Sequence, residues 1–337
     1  MKKIVAEKYG VMAVTIEKIK NVYLICDERR KYCLKIIKYE KPHFLFILAT
    51  IKHLYNNEFK AVPPIIETLD RKEYIELDNN YAYLTPWLAA RESNYDNPLD
   101  IEMTAKVLAE LHIKSKGFEI KDNMKPRIGW FKWFDNYRTR KKEILDFKAR
   151  IEKKEEKSEF DIIYMEHMEE ELLRCDQALQ RLGESDYYIK MTKEIRGRGF
   201  CHHDFAHHNV LIGADNRVAI IDFDYAILDT HLHDLASLLI RRMKNGKWDL
   251  ENARFILEAY DSVYRVEPED IPIMAAFMEF PQDYWQVGIQ YYWEKQPWGE
   301  DFFLKKLAKI IEDKEEKQEF IDEFMFFNYK GKGGRTY

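Results

Sequence analysis

CHHDFAHHNVLIGADNRVAIIDFDYA, residues 201–226, is the stretch from which the fold can be read. VLI (210–212) and VAII (218–221) are short apolar runs, and GADNR (213–217) between them is rich in turn residues. That pattern predicts a tight β-hairpin. Asn209 immediately precedes the first run and Asp222 immediately follows the second. An antiparallel pairing sets two such residues side by side, roughly 5 Å apart at Cα. An amide oxygen and a carboxylate at that separation can share a hard cation such as Mg²⁺. Asp204, on the loop upstream, is expected to face the same space. Taken singly, each of these residues also suits an ordinary surface hairpin with polar flanks.

The combination fits phosphoryl transfer. A divalent ion neutralises charge on the β- and γ-phosphates, and a carboxylate positions the acceptor hydroxyl and takes its proton. Asp204 is the expected base, with Asn209 and Asp222 as metal ligands. For Asp224 two readings stand: it assists Asp222, or it caps the turn. The crowded histidines, His202, His203, His207, His208, His231 and His233, raise a rival, a transition-metal hydrolase. The hairpin explains the spacing of Asn209 and Asp222, and a histidine-based site does not. The histidines are therefore expected to brace loops, with His202 bonding backbone near the Asp222 turn.

Outward from this segment, the N-terminal part reads as β-rich. VYLIC (22–26) and KYCLKII (31–37) flank a polar turn, DERR. A helix is expected from Pro42 to Asn57, with Pro42 in its first turn. After Pro63-Pro64 come three strand candidates, PIIETL, YIELD and YAYL. Pro86 cannot donate to a ladder, so a lobe boundary is expected there. From about Asp100 the pattern turns helical, with Val107, Leu108, Leu111 and Ile113 on a helical period. The mixed-charge segment from Arg138 to Glu159 predicts a solvated helix or helical hairpin rather than a partner-binding arm. Helices then resume from Ile162 to Leu182 and, beyond residue 234, to about Phe327. The fold expected is α+β and two-lobed. A small β-rich N-terminal lobe spans 1–86, a larger mostly helical lobe 87–327, and a Gly-rich, basic, flexible tail 328–337.

Composition narrows the partners. The formal charge is -5, with 46% hydrophobic and 34% charged residues. Nothing there favours nucleic acid or an anionic membrane. No apolar run is long enough to cross a bilayer, and Glu7 and Lys8 interrupt any signal-like stretch at the start. The four cysteines show neither metal-type spacing nor a need for disulfides, which suits synthesis in a reducing cytoplasm. Lys35 shares a strand face with Cys33 and Ile37. Either it meets an anion there, or it snorkels from an exposed face.

The pattern His202-x-Asp204-(x4)-Asn209 followed by Ile221-Asp222-Phe223-Asp224 resembles the catalytic loop and metal-binding motif of the aminoglycoside phosphotransferase and choline kinase family. His233-Asp234-Leu235-Ala236 fits as well. CHHDFAHHNVLI, IDFDYAILDTHLHDLA, FPQDYWQVGIQYYWEKQPW and the WFKWF stretch (130–134) are closer still to the CotS-type group of bacterial spore-coat proteins. The likeness runs over nearly the whole chain and is weakest at the N-terminus. It implies a two-lobed protein-kinase-like fold using ATP and Mg²⁺, with Lys35 on the α- and β-phosphates. It also implies adenine against a hinge at 84–88, on the carbonyl of Pro86 and the amide of Leu88. Asp234 is implied to begin a helix and brace the catalytic loop. His203 stands where the broader family usually has Gly, and its bulk is expected to narrow the acceptor side.

The aromatic stretch from Phe280 to Trp298 lies where this family walls its acceptor. Its rings either stack on a sugar or cationic head group or fill a helical core, and Glu279, Asp283 and Glu294 would favour a cationic acceptor if they face the cleft. Two departures stand out. No acidic residue lies between Lys41 and Asn57 to pair with Lys35, and no glycine-rich loop precedes VYLIC. Two functions follow: a phosphotransferase acting on a hydroxyl of a small molecule (sugar or amino alcohol), or a pseudokinase working with other spore-coat proteins in coat assembly.

Overall fold

The computed structural model describes residues 1–78 and 80–330, so most of the expected tail, 331–337, lies outside the described residues. The chain forms two compact units. One combines Met1–Ile128 with Gly197–Leu228, and the other combines Gly129–Arg196 with the chain from Asp229 onward.

The first unit opens with α1 (Lys2–Tyr9), which the β-rich reading of the start did not anticipate. Its eight residues are too few to hold a helix alone. Val5 and Tyr9 are buried against Ile25, Leu34, Ile75 and Leu84, and Gly10, at φ 68°, closes it with its N–H on the Ala6 carbonyl. Burying Val5 is worth about 1.5–3 kcal/mol. Five antiparallel strands follow: β1 (Thr15–Ile19), β2 (Val22–Cys26), β3 (Lys31–Ile37), β4 (Ile75–Leu77) and β5 (Asn80–Pro86), in the order β1-β2-β3-β5-β4. Between β3 and β4 lies α2 (Lys41–Asn56), with Pro42 in its first turn and Phe44, Phe46, Ile47 and Ile51 buried.

PIIETL does not become a strand. Only the Ile66 N–H reaches the sheet, donating to the Leu84 carbonyl at 2.8 Å. Pro64 has no N–H to give. Thr68 bonds instead with Asp70 and with both backbone groups of Lys72, which closes the segment into a local turn. A second sheet has the order β6-β7-β8, from β6 (Ala90–Glu92), β7 (Val210–Gly213) and β8 (Val218–Ile220). The β7–β8 hairpin is the one read from the sequence, and the Ile220 N–H extends to the Ala61 carbonyl. α3 (Pro98–Lys114) completes this unit, capped by Asn97, whose side chain accepts from the Leu99 N–H.

The second unit is helical. It contains α4 (Trp133–Glu152), α5 (Glu159–Glu184), α6 (Tyr187–Gly197), α7 (Leu232–Met243), α8 (Leu250–Asp261), α9 (Asp270–Glu279), α10 (Gln282–Gly288), α11 (Glu300–Glu312) and α12 (Lys314–Phe324). The charged stretch is the solvated part of an α4–α5 pair. A capping box between Ser158 and Asp161 starts α5. In the aromatic stretch Phe280, Tyr284 and Tyr292 are buried while Trp293 and Trp298 are exposed; Tyr284 stacks on Tyr164 with centroids 4.1 Å apart and donates its hydroxyl to the Tyr164 carbonyl. The chain stays anchored past residue 328, because Tyr329 is buried and its hydroxyl meets Asp261 and the Val266 carbonyl. Among the described residues no helix is long and apolar enough to cross a membrane.

Candidate phosphoryl-transfer site

The site lies within the first unit. Ala206 donates its N–H to the Asp204 carbonyl, and a short turn over His207–Asn209 leads into β7. The side-chain amide of Asn209, which is buried, donates to the Asp204 carbonyl at 2.9 Å and to its carboxylate at 3.1 Å. One residue thus fixes both the loop and the orientation of the candidate base.

The hairpin register differs by one residue from the expected pairing. Val210 faces Ile220, so Asn209 is opposite Ile221, whose N–H donates to the Asn209 carbonyl at 3.0 Å. Asp222 lies one step further and adopts left-handed backbone, φ 67° and ψ 65°. Such a turn is rare for a residue with a Cβ and costs of order 1 kcal/mol. It is held from behind by His202, whose Nε2 lies 2.9 Å from the Ile221 carbonyl and whose ring packs on Phe223. His203 also has positive φ, 70°. That explains why a glycine is favoured at this position.

Lys35 is buried on β3, and its ammonium lies 2.7 Å from Asp222 and 2.6 Å from Asp224. The meeting of an anion, rather than snorkelling, describes its position. Burial alone would lower the lysine pKa, but Tyr83, Asp224 and Asp222 outweigh it and hold Lys35 above its ordinary range. Burial likewise raises both carboxyls. For Asp222 the lysine charge and hydrogen bond win, and its pKa falls below the usual value. For Asp224 burial and the neighbouring Asp222 charge win, and its pKa rises. Asp224 therefore sits opposite the lysine as the acid that α2 does not supply.

Lys35, Asn209 and Asp222, but not Asp204 or Asp224, border a cavity of about 380 Å³, a size suited to a small ligand. Lys35, Asn209 and Asp222 form its polar end, and Pro86, Trp87 and Leu88 line the hinge side. The Trp87 N–H is already given to the Lys31 carbonyl. Cys33, Ile51 and Val62 contribute to the remaining walls. Lys20 and Asn21 also border the cavity, as the two residues between β1 and β2. Lys20 has φ 52° and its ammonium lies 3.6 Å from Glu92. The absence of glycine from this turn was legible, but not that a lysine would border the cavity.

Other expected residues lie in the second unit. Asp234 is fully buried in the first turn of α7. Glu279 is fully buried and paired with Arg174 and Arg181. Its charge is already neutralised and does not select a cationic acceptor.

The chain resembles known proteins over most of its length. Residues 2–324 match the family described as Spore coat putative kinase YutH. Spore coat protein S of Bacillus subtilis (strain 168) is 24% identical over 291 residues, 86% of this chain and 82% of that protein. The crystal structure of an aminoglycoside phosphotransferase from Alicyclobacillus acidocaldarius subsp. acidocaldarius DSM 446 matches with a TM-score of 0.82 at 21% identity, covering 96% of this chain and 95% of the other. A spectinomycin phosphotransferase, solved in complex with ADP and spectinomycin, matches with a TM-score of 0.69 at 17% identity, covering 97% and 98%. These likenesses establish the two-lobed, protein-kinase-like fold.

Proposed function

This chain belongs to the spore-coat YutH family, and from that premise we propose that it is an ATP- and Mg²⁺-dependent phosphotransferase acting on a hydroxyl of a small molecule, a sugar or an amino alcohol. The observation that carries the reading is the buried Lys35 ammonium, held by two aspartates at the polar end of a cavity that Asn209 also lines.

Each residue has a defined task. Lys35 orients the α- and β-phosphates. The Asn209 amide oxygen and the Asp222 carboxylate are hard oxygen donors of the kind Mg²⁺ takes, and the low pKa of Asp222 keeps that donor charged. When bound, the ion neutralises charge on the transferring phosphoryl group. Asp204, oriented by the Asn209 amide, accepts the proton of the acceptor hydroxyl. Asp224 anchors Lys35 in the role that a helix glutamate fills in other kinases. The hinge at Pro86–Leu88 receives the adenine, and His202 braces the loop.

The alternative is a catalytically weak pseudokinase in coat assembly. The two-residue Lys20–Asn21 turn favours it, since a glycine-free turn offers phosphates less close backbone approach. A thermal-shift titration separates the two. ATP with Mg²⁺ is expected to raise the Tm of the wild type, by an amount set by concentration over Kd, and not that of Asp222→Ala. No shift at millimolar nucleotide would favour the scaffold. An acceptor panel run beside Asp204→Asn then identifies the hydroxyl substrate.

A further inference from the structure

The second unit contains a cavity of its own, about 270 Å³, that shares no lining residue with the first. Its lining cations are Arg174, Lys244, Lys306, Lys309 and Lys317, and its lining carboxylates are Glu171, Asp283 and Asp313. Five positive charges against three negative leave an excess of two.

Arg174, on α5, is only 5% exposed. Its Nε lies 3.3 Å from Glu279 and its Nη1 3.7 Å from Glu171. Its Nη2 is buried with no hydrogen-bond partner among the described residues, and so is the Nε1 of Trp248; the one unmet buried acceptor of the lining, Glu171 Oε2, already faces the Arg174 guanidinium. A buried donor left unmet costs about 1–3 kcal/mol. Two such donors bordering one cavity point to an acceptor that the chain does not provide. The lysines around them make no close ion pair. Lys244, Lys309 and Lys317 have no ion-pair partner among the described residues, while Lys306 bonds the neutral Gln290. Burial and the Arg174 charge push Lys317 down to about 8. Burial pushes the Glu171 carboxyl up against the pull of Arg174.

We infer that this cavity is a binding site for a small phosphate-bearing anion. A tetrahedral dianion matches the charge excess and offers acceptors to donors arriving from different helices. Phosphate is also the anion that arginine and lysine recognise through several N–H groups at once. Ile240, Ile310 and Tyr284 give the cavity an apolar wall, suited to the organic part of a monoester. The inference does not depend on phosphotransfer at the first site.

Isothermal titration at constant ionic strength tests it, with inorganic phosphate and with glycerol phosphate as probes. The variants are Lys317→Met, Lys309→Met, Trp248→Phe and Lys35→Met, each checked for folding by its melting curve. The wild type is expected to bind one phosphate saturably. Lys317→Met should weaken binding tenfold or more, and Trp248→Phe and Lys309→Met several-fold. Lys35→Met, altered in the other cavity, should bind as the wild type does. Tighter binding of glycerol phosphate assigns the site to monoesters, and equal or weaker binding assigns it to free phosphate. Lys309 is exposed, so its variant keeps the test decisive if Lys317→Met does not fold. The inference is overturned if the wild type shows no saturable heat at millimolar phosphate. It is equally overturned if the folded second-cavity variants bind unchanged, or if Lys35→Met alone abolishes the signal.

Discussion

Lys35 and Asp224 show how far single residues can be read. The lysine stood out in sequence because a cation on an apolar strand face needs an anion. Its partner did not, because a carboxylate that lies 189 positions away in the chain gives no local signal. Asp224 could equally have been a turn cap. With α2 offering no acid, the aspartate two residues after Asp222 anchors the ammonium. Asp224→Asn is therefore expected to leave Lys35 leaning on Asp222 alone and to weaken ATP binding about tenfold, near 1.4 kcal/mol. Asp222→Asn should instead remove the Mg²⁺ dependence of binding. Titrating both variants with ATP, with and without Mg²⁺, distinguishes the roles. Identical behaviour would mean that Asp224 is a metal ligand.

Secondary-structure elements were legible where their periodicity was strong. The β7–β8 hairpin, α2 and α3 all carry clear patterns of apolar residues and turn or capping chemistry. α1 was missed because its eight residues have little amphipathic signal and are held by the sheet they cover. PIIETL was overread because β-branched composition does not reveal that Thr68 will close a local turn. Gly288 illustrates a constraint that only packing exposes. It ends α10 against Tyr164 and Phe147, and an added Cβ would meet the Tyr164 hydroxyl first and lie 2.8 Å from the Phe147 ring. Gly288→Ala is expected to destabilise the chain by about 1–3 kcal/mol through overpacking. A lower denaturant midpoint at unchanged m-value would report this; an unchanged midpoint would show that the Phe147 ring yields freely.

At the scale of the whole molecule, sequence alone reached the family and the fold, because the Asp204 loop, the Asp222 turn and the aromatic stretch are contiguous segments. It did not reach the second cavity, whose cations come from α5, α11, α12 and the end of α7 and converge only on folding. The distribution of the cysteines has a use of the same global kind. Cys175 and Cys201 are buried, Cys26 and Cys33 are half-buried, and Cys33 alone borders the first cavity. Burial pushes its thiol up, against the pull of Lys35 and Thr85, so alkylation should be slow near neutrality and faster in mild alkali. A bound nucleotide would screen it from reagent. Intact-mass spectrometry of a Cys26→Ser chain treated with iodoacetamide should then count one adduct without ATP and Mg²⁺ and none with them, turning an unremarkable sulfur into a gauge of occupancy that needs no knowledge of the acceptor.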